Sequence, residues 1–338
     1  MSWFGDKEIV GMYIGEEEIF SSNRAAYVAH NGGGVERRDY SGELIWNHET
    51  PDGGTAYDVS VTPRGLVLTT GGTDEILDLL DTDGAVIERK SVSEVVESVF
   101  VDTQGNVWAG DRNGDIIKYD LELVEEWTNT DHPDTVEWID SHGDGHIWSA
   151  SNDFDTGPIV KKIDPDGTEL ETYDDFDSDD GDMSICVDVD GNCYIANSEW
   201  DSELKTIRKI DSSGNLVWDH SEDANHGYGP SVDLDGSVYF GGWESAFKID
   251  SNGNLVWSNY DLTSTTRDTM VDPHGFLWTT GWNSGEVHKI DAESGDIILK
   301  FVNSTDTDGQ RVDVYSGPSG MSSKSPILKR VESPWKDD

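Results

Sequence analysis

Short runs of alternating apolar and polar residues recur along this chain, each closed by a turn signal. The runs GPSVDL, SVYFGG, AFKID and LVWSNYD, separated by D-G, W-E-S and S-N-G, show the pattern most clearly. Alternation of this kind, rich in Val, Ile, Trp and Tyr, predicts half-buried β-strands. The Asp-Gly and Asn-Gly pairs supply the left-handed backbone that tight hairpins need. No segment sustains a 3.6-residue apolar period, so no helix is expected.

The four-run unit returns at intervals of about 40 residues, a period that signals a repeat architecture. Its first anchor is a turn glycine with a bulky residue three positions later. The glycines are Gly65, Gly105, Gly145, Gly191, Gly236 and Gly275, and the bulky partners are Leu68, Trp108, Trp148, Tyr194, Tyr239 and Trp278. Ala25 and Val28 fall in step with them inside EIFSSNRAAYVA. The second anchor resembles K-I-D-x-x-G-x-L-V-W. Its glycines are Gly42, Gly84, Gly167, Gly214, Gly253 and Gly295, and the segment around Leu121 has lost its glycine. Trp46, Trp127, Trp218 and Trp257 follow at matching places.

A lone four-stranded sheet cannot bury both faces, whereas sheets packed radially can, with the repeated aromatic side chains filling the seams. The expected fold is therefore all-β: a seven-bladed β-propeller of four-stranded antiparallel blades. Eight blades, the last split between the termini, is the alternative, and an open solenoid is a second. Approximate blades are 17–56, 57–95, 96–135, 136–183, 184–227, 228–266 and 267–310. Residues 1–16 form an N-terminal segment able to add a ring-closing strand, and 311–338 form a C-terminal closing strand followed by a basic anchoring tail.

Composition changes the picture in one respect. The 338 residues carry 69 Asp/Glu against 23 Lys/Arg, a formal net charge of -46. Such a surface repels nucleic acid and anionic lipid, which excludes a phosphate-backbone binder. The acidity is spread along the chain, the pattern of proteins from salt-loving microbes or their viruses, where molar salt screens the repulsion. No apolar run is long enough to span a membrane, and the first twenty residues have no basic-then-apolar signal pattern. Cys186 and Cys193 are expected as free buried thiols in neighbouring strands, with a cross-strand disulfide as the alternative.

The stretches VDPHGFLWTTG and VHKIDAESG, with the repeats around them, resemble PQQ-like, NHL and SMP-30-like propellers and those of the virginiamycin B lyase type. The resemblance covers residues 17 to about 303. It implies the ring fold; the families include lyases, lactonases, quinoprotein dehydrogenases, scaffolds and receptor-binding modules, and fold alone does not carry function. The lyase likeness implies a metal and a histidine base near the central channel. The candidates are His226 beside Asn225, His132 and His142, with His30, His274 and His288 elsewhere, and the carboxylates Glu137, Asp140, Asp188 and Asp233. No segment gathers histidine and carboxylates compactly, as a base and its orienting group require. The quinoprotein likeness implies adjacent cysteines, which Cys186 and Cys193 are not.

Four turns carry D-x-D-G, including Asp188, Asp190, Asp233 and Asp235. Spaced carboxylates can hold Ca²⁺ or Mg²⁺, but these lack the closing ligands of a calcium loop, so turn formation is the first reading and no cofactor is expected. The loops between second and third strands place Trp200, Trp243, Glu244, Trp282, Asn283, Arg112 and Asp153 on one face, with Arg267 near it. Tryptophans on so acidic a surface suggest a platform for a glycan or protein, packing against the next blade being the alternative. In the tail, Lys324, Lys329, Arg330, Lys336 and Trp335 suggest an anchor for an acidic protein subunit or for the ring itself. The expected function is a non-enzymatic display or binding module: a virion structural, capsid-decoration, tail or host-attachment protein of a halophilic archaeal virus. The alternatives are a metal-dependent lyase or hydrolase and a cytoplasmic assembly scaffold of a halophile.

Overall fold

In a computed structural model the described residues are 24–51, 53–62, 64–72, 75–102, 104–141, 145–151, 158–174, 183–197, 207–221, 227–304 and 309–315. They form seven four-stranded antiparallel sheets. Inner strands of successive blades touch in sequence right round the ring, blade seven meeting blade one. The chain is a seven-bladed β-propeller, and both the eight-bladed ring and the open solenoid are set aside.

Blade one is closed by the two ends of the described chain. Its inner strand is Gly309–Tyr315, paired with Ala25–His30, which is followed by Gly34–Arg38 and Leu44–Glu49. The inner strands of blades two to seven are Val59–Val61, Val96–Val101, Val136–Ser141, Met183–Val187, Tyr228–Val232 and Thr266–Val271.

Seven apolar clusters fill the seven seams. Trp108, Trp148, Tyr194, Tyr239, Trp278 and Leu68, the bulky residues of the first anchor, are essentially inaccessible. Each aromatic ring buries roughly 150–250 Å², worth about 4–6 kcal/mol of transfer free energy, so these positions dominate the seams. Cys186 packs in the seam between blades five and six and Cys193 in the seam between four and five. They therefore face opposite sides of one sheet, are free, and have thiols whose ionisation burial disfavours. The disulfide alternative is excluded by strand geometry.

The outer-strand tryptophans add a latch. Trp46, Trp127, Trp218 and Trp257 donate their indole N–H groups to Thr82, Pro165, Ser251 and Ala292 carbonyls of the following blade, at 3.0, 3.1, 3.1 and 3.2 Å. Each ring also lies on the turn glycine of that blade. At Gly295 a Cβ would sit 2.9 Å from Trp257, and φ is +79°, so only glycine fits. In blade three, where the glycine is missing, Leu123 takes the left-handed backbone at φ 53° and buries its side chain in the seam.

The aspartates of the turns are consumed by the turns. In Asp81, Asp164, Asp188 and Asp233 one carboxylate oxygen accepts the N–H groups two and four residues on, at 2.9–3.0 Å. The second oxygen of Asp188 accepts from Asn192 and Tyr194, and that of Asp233 from Tyr239. This is Asx-turn chemistry.

Candidate binding face and central channel

Every inner strand starts at the end of the ring where the loops between second and third strands lie; Thr266 pairs with Gly281 and Tyr228 with Gly241. That end is the face on which the loop residues were expected to gather. Trp243 is 49% exposed there, and nearby Tyr260 is 58% exposed. Tyr260 meets Phe247 edge-on at 5.6 Å, which holds its ring upright. Glu244 and Asn283 make the loop turns with left-handed backbone, at φ 49° and 67°.

Trp282 is half-buried, with the Arg267 guanidinium over its ring at 5.3 Å. Arg112 is tied down: it pairs with Glu97 at 2.6 Å, donates to the Tyr57 hydroxyl at 2.9 Å and lies over the Tyr57 ring. Trp200, Asp153, His142, His226 and the tail residues Lys324, Lys329, Arg330, Trp335 and Lys336 lie outside the described residues.

Inside the channel the structure shows a device that the strand pattern did not announce. Short polar side chains on the inner strands reach across each seam to the backbone of the next blade. Asp313 accepts the Val61 N–H at 2.7 Å, Asp58 that of Val99 at 2.9 Å, Asp140 that of Val187 at 2.8 Å and Asp268 that of Val312 at 3.0 Å. In each case the other oxygen accepts the N–H of the residue that follows the aspartate. Ser60 and Ser231 accept from Val101 and Val271, Ser184 accepts from Gly229, and Ser98 donates to the Val136 carbonyl. All seven seams are bridged in this way. Inner-strand backbone groups that point into the channel have no fifth strand to pair with, so the aspartates and the other three serines satisfy N–H groups and Ser98 a carbonyl.

Arg311 and Trp138 divide the channel. Arg311 extends from the inner strand of blade one to blade four, on the opposite side of the ring, where its guanidinium stacks 3.1 Å above the Trp138 ring and donates to the Glu137 carbonyl at 2.9 Å. On one side is a recess lined by Asp58, Trp138, Asp140, Cys186, Ser231 and Asp268 among others. On the other, towards the loop face, Glu137, Trp138, Met183, Ser184, Tyr228, Arg267 and Arg311 line a second, small and open recess. Burial disfavours the charge on Arg311, while Asp58 and Asp268 support it.

Of the described histidines proposed as bases, His132, His288 and His30 are interior and His274 is exposed. His132 is held between the Ser151 and Ser149 hydroxyls at 2.8 and 2.7 Å, and burial, helped by Lys161, pushes its pKa down to about 3. Burial likewise lowers His288 to about 4 and shifts His30 downward. His274 packs edge-on against Tyr40. Among the described residues no group of three or more His, Cys, Asp or Glu is arranged to hold a metal ion. Of the channel carboxylates, Asp140 belongs to the seam bridges, Glu137 lines the upper recess, and Asp188 and Asp233 serve turns.

These features define a β-propeller scaffold with a loop face and a plugged channel, an arrangement consistent with a binding or interaction module. No protein-family model matches the chain, and no curated protein matches it. The likeness to the propeller families named above therefore stands at the level of the fold.

Proposed function

We propose that the protein is a non-enzymatic display module that binds a partner on its loop face. The observation that carries this reading is the aromatic set there: the exposed Trp243 and Tyr260 and the half-buried Arg267–Trp282 stack, on a ring bridged at every seam. Rigid aromatic side chains beside a cation are the usual anchors for protein and carbohydrate surfaces. The finer setting we propose is a structural, decoration or attachment component of particles of a virus that infects salt-loving archaea, with a cell-surface glycan or glycoprotein as target. The net charge of -46 supports a high-salt environment. The basic tail, through Lys324, Lys329, Arg330 and Trp335, is proposed as the anchor to an acidic neighbouring subunit.

Two measurements test this. Density fractionation and mass spectrometry of high-salt lysates should find the protein in fixed ratio with particles; a soluble protein absent from particles would sink the virion setting. Surface attachment should weaken at least tenfold in the Trp243→Ala, Trp282→Ala double variant with the unfolding midpoint unchanged. Undiminished attachment would sink the loop-face reading.

A further inference from the structure

The upper recess contains a chemistry that the display reading touches only through Arg267. The chain has three acidic residues for every basic one, 69 against 23, so carboxylate partners for an arginine are abundant. Arg38, Arg89 and Arg112 pair with Glu36, Asp78 and Glu97. Arg267 and Arg311 both line the recess, yet neither has a carboxylate oxygen within the 4.0 Å of an ion pair among the described residues.

Arg311 is 4% exposed, and its Nη1 has no hydrogen-bond partner among the described residues. A buried guanidinium N–H left unpaired is costly, and two guanidinium groups facing one small space repel each other. Ser184 accepts the Gly229 N–H through its Oγ, which leaves its own proton available to donate. The Trp138 ring closes the floor. Asp58 and Asp268 stand on the far side of that floor, and their oxygens are already engaged with strand N–H groups. Glu137 lines the recess as well, gives its carbonyl to Arg311 Nη2, and its carboxylate adds to the support for the Arg311 charge.

We propose that this recess is a carboxylate-binding site, in which Arg311 and Arg267 supply the charge and the Ser184 hydroxyl a third donor. A planar carboxylate matches the guanidinium fork and turns the repulsion between the two arginines into shared attraction. The carboxylate belongs either to a small free acid or to an acidic sugar, and the site shares Arg267 with the loop face but does not use Trp243 or Tyr260.

The test is isothermal titration calorimetry of the full chain with sodium acetate, sodium glucuronate and neutral glucose, each carboxylate replacing chloride at constant sodium. Saturable binding of a carboxylate, absent for glucose, is expected. Acetate and glucuronate binding alike identifies a site for the carboxylate alone; tighter glucuronate identifies an acidic sugar. Arg267→Gln, whose side chain is partly exposed, should weaken binding about tenfold to a hundredfold, the loss of one charge-assisted interaction, with an unchanged unfolding midpoint. Arg311→Gln should abolish binding where it folds, and Arg267→Gln decides the question where it does not. Trp243→Ala should leave binding intact, which separates this site from the loop-face reading. No saturable carboxylate binding, equal binding of glucose, or equal affinity in wild type and Arg267→Gln would overturn the proposal.

Discussion

Asp268 offers the sharpest check on how the ring is held closed. Its side chain sits at the seam between blades seven and one, where the last described strand completes the ring. One oxygen accepts the Thr269 N–H and the other the Val312 N–H, both at 3.0 Å, and all three residues are at most 1% exposed. Asp268→Ala leaves two buried N–H groups without acceptors at roughly 1–3 kcal/mol each, so the expected loss is about 2–6 kcal/mol. Asp268→Asn keeps the shape but has a single acceptor oxygen, and its NH₂ confronts the second N–H, so about half that loss is expected. The order of stability should be wild type, then Asn, then Ala.

Urea unfolding at fixed molar KCl measures this, because urea leaves the ionic strength constant. Removing any negative charge from a chain at -46 relieves a little general repulsion. Asp83→Asn, at an exposed turn position, serves as the control for that effect. After subtraction of the control, an Asn variant within about 0.5 kcal/mol of wild type would refute the two-oxygen clamp, since such a difference is no more than an ordinary surface substitution produces. An Ala variant no weaker than Asn would refute it equally.

Other outcomes follow from the same geometry. Trp257→Ala should cost about 2–4 kcal/mol in urea unfolding, and Gly295→Ala about 1–3 kcal/mol, because both break the latch between blades six and seven. His132 titrates at about 3 in the fold against 6.5 ordinarily, so the unfolded chain takes up its proton first as pH falls. Its contribution is therefore complete above pH 6.5 and is lost below it by about 1.4 kcal/mol per pH unit. His132→Gln should remove that slope, and identical pH profiles of wild type and variant between pH 7.5 and 5 would contradict the assignment. The unfolding midpoint should rise between about 0.1 and 2 M KCl as screening shortens the Debye length from about 10 Å to a few Å; a midpoint indifferent to salt would argue against a high-salt setting.

The fold was legible because the seams are built from the most visible residues in the chain. Large aromatic side chains at a fixed distance from a turn glycine mark Trp108, Trp148, Tyr194, Tyr239 and Trp278, and burial in the seams is why they recur. The turn aspartates were legible for a related reason: Asp-x-Asp-Gly encodes a local backbone path, and the carboxylates of Asp188 and Asp233 answer to N–H groups only two and four residues away. Leu123 shows the limit of such reading. The missing glycine of blade three was visible, but not that a leucine would adopt the same left-handed backbone and be held there by burial in the seam.

The channel was much less legible, because its contacts join residues about 40 positions apart or at opposite ends of the described chain. Asp313 reaches Val61, and Arg311 reaches Glu137 and Trp138, pairings that no local pattern encodes. The available signal was a mismatch. YDVSV, EWIDS, TRDTM and RVDVY each place Asp inside a strand run, where its propensity is poor, and in a ring that mismatch implies a backbone acceptor facing the channel. The same reasoning identifies Arg311 as the odd member. The seam carboxylates are each engaged by two N–H groups, yet they keep their charge, and Asp58 and Asp268 support that of Arg311. A long cation laid across the channel against Trp138 serves the ring beneath as a counter-charge, and its Nη1, unpaired among the described residues, is what it leaves for the recess above.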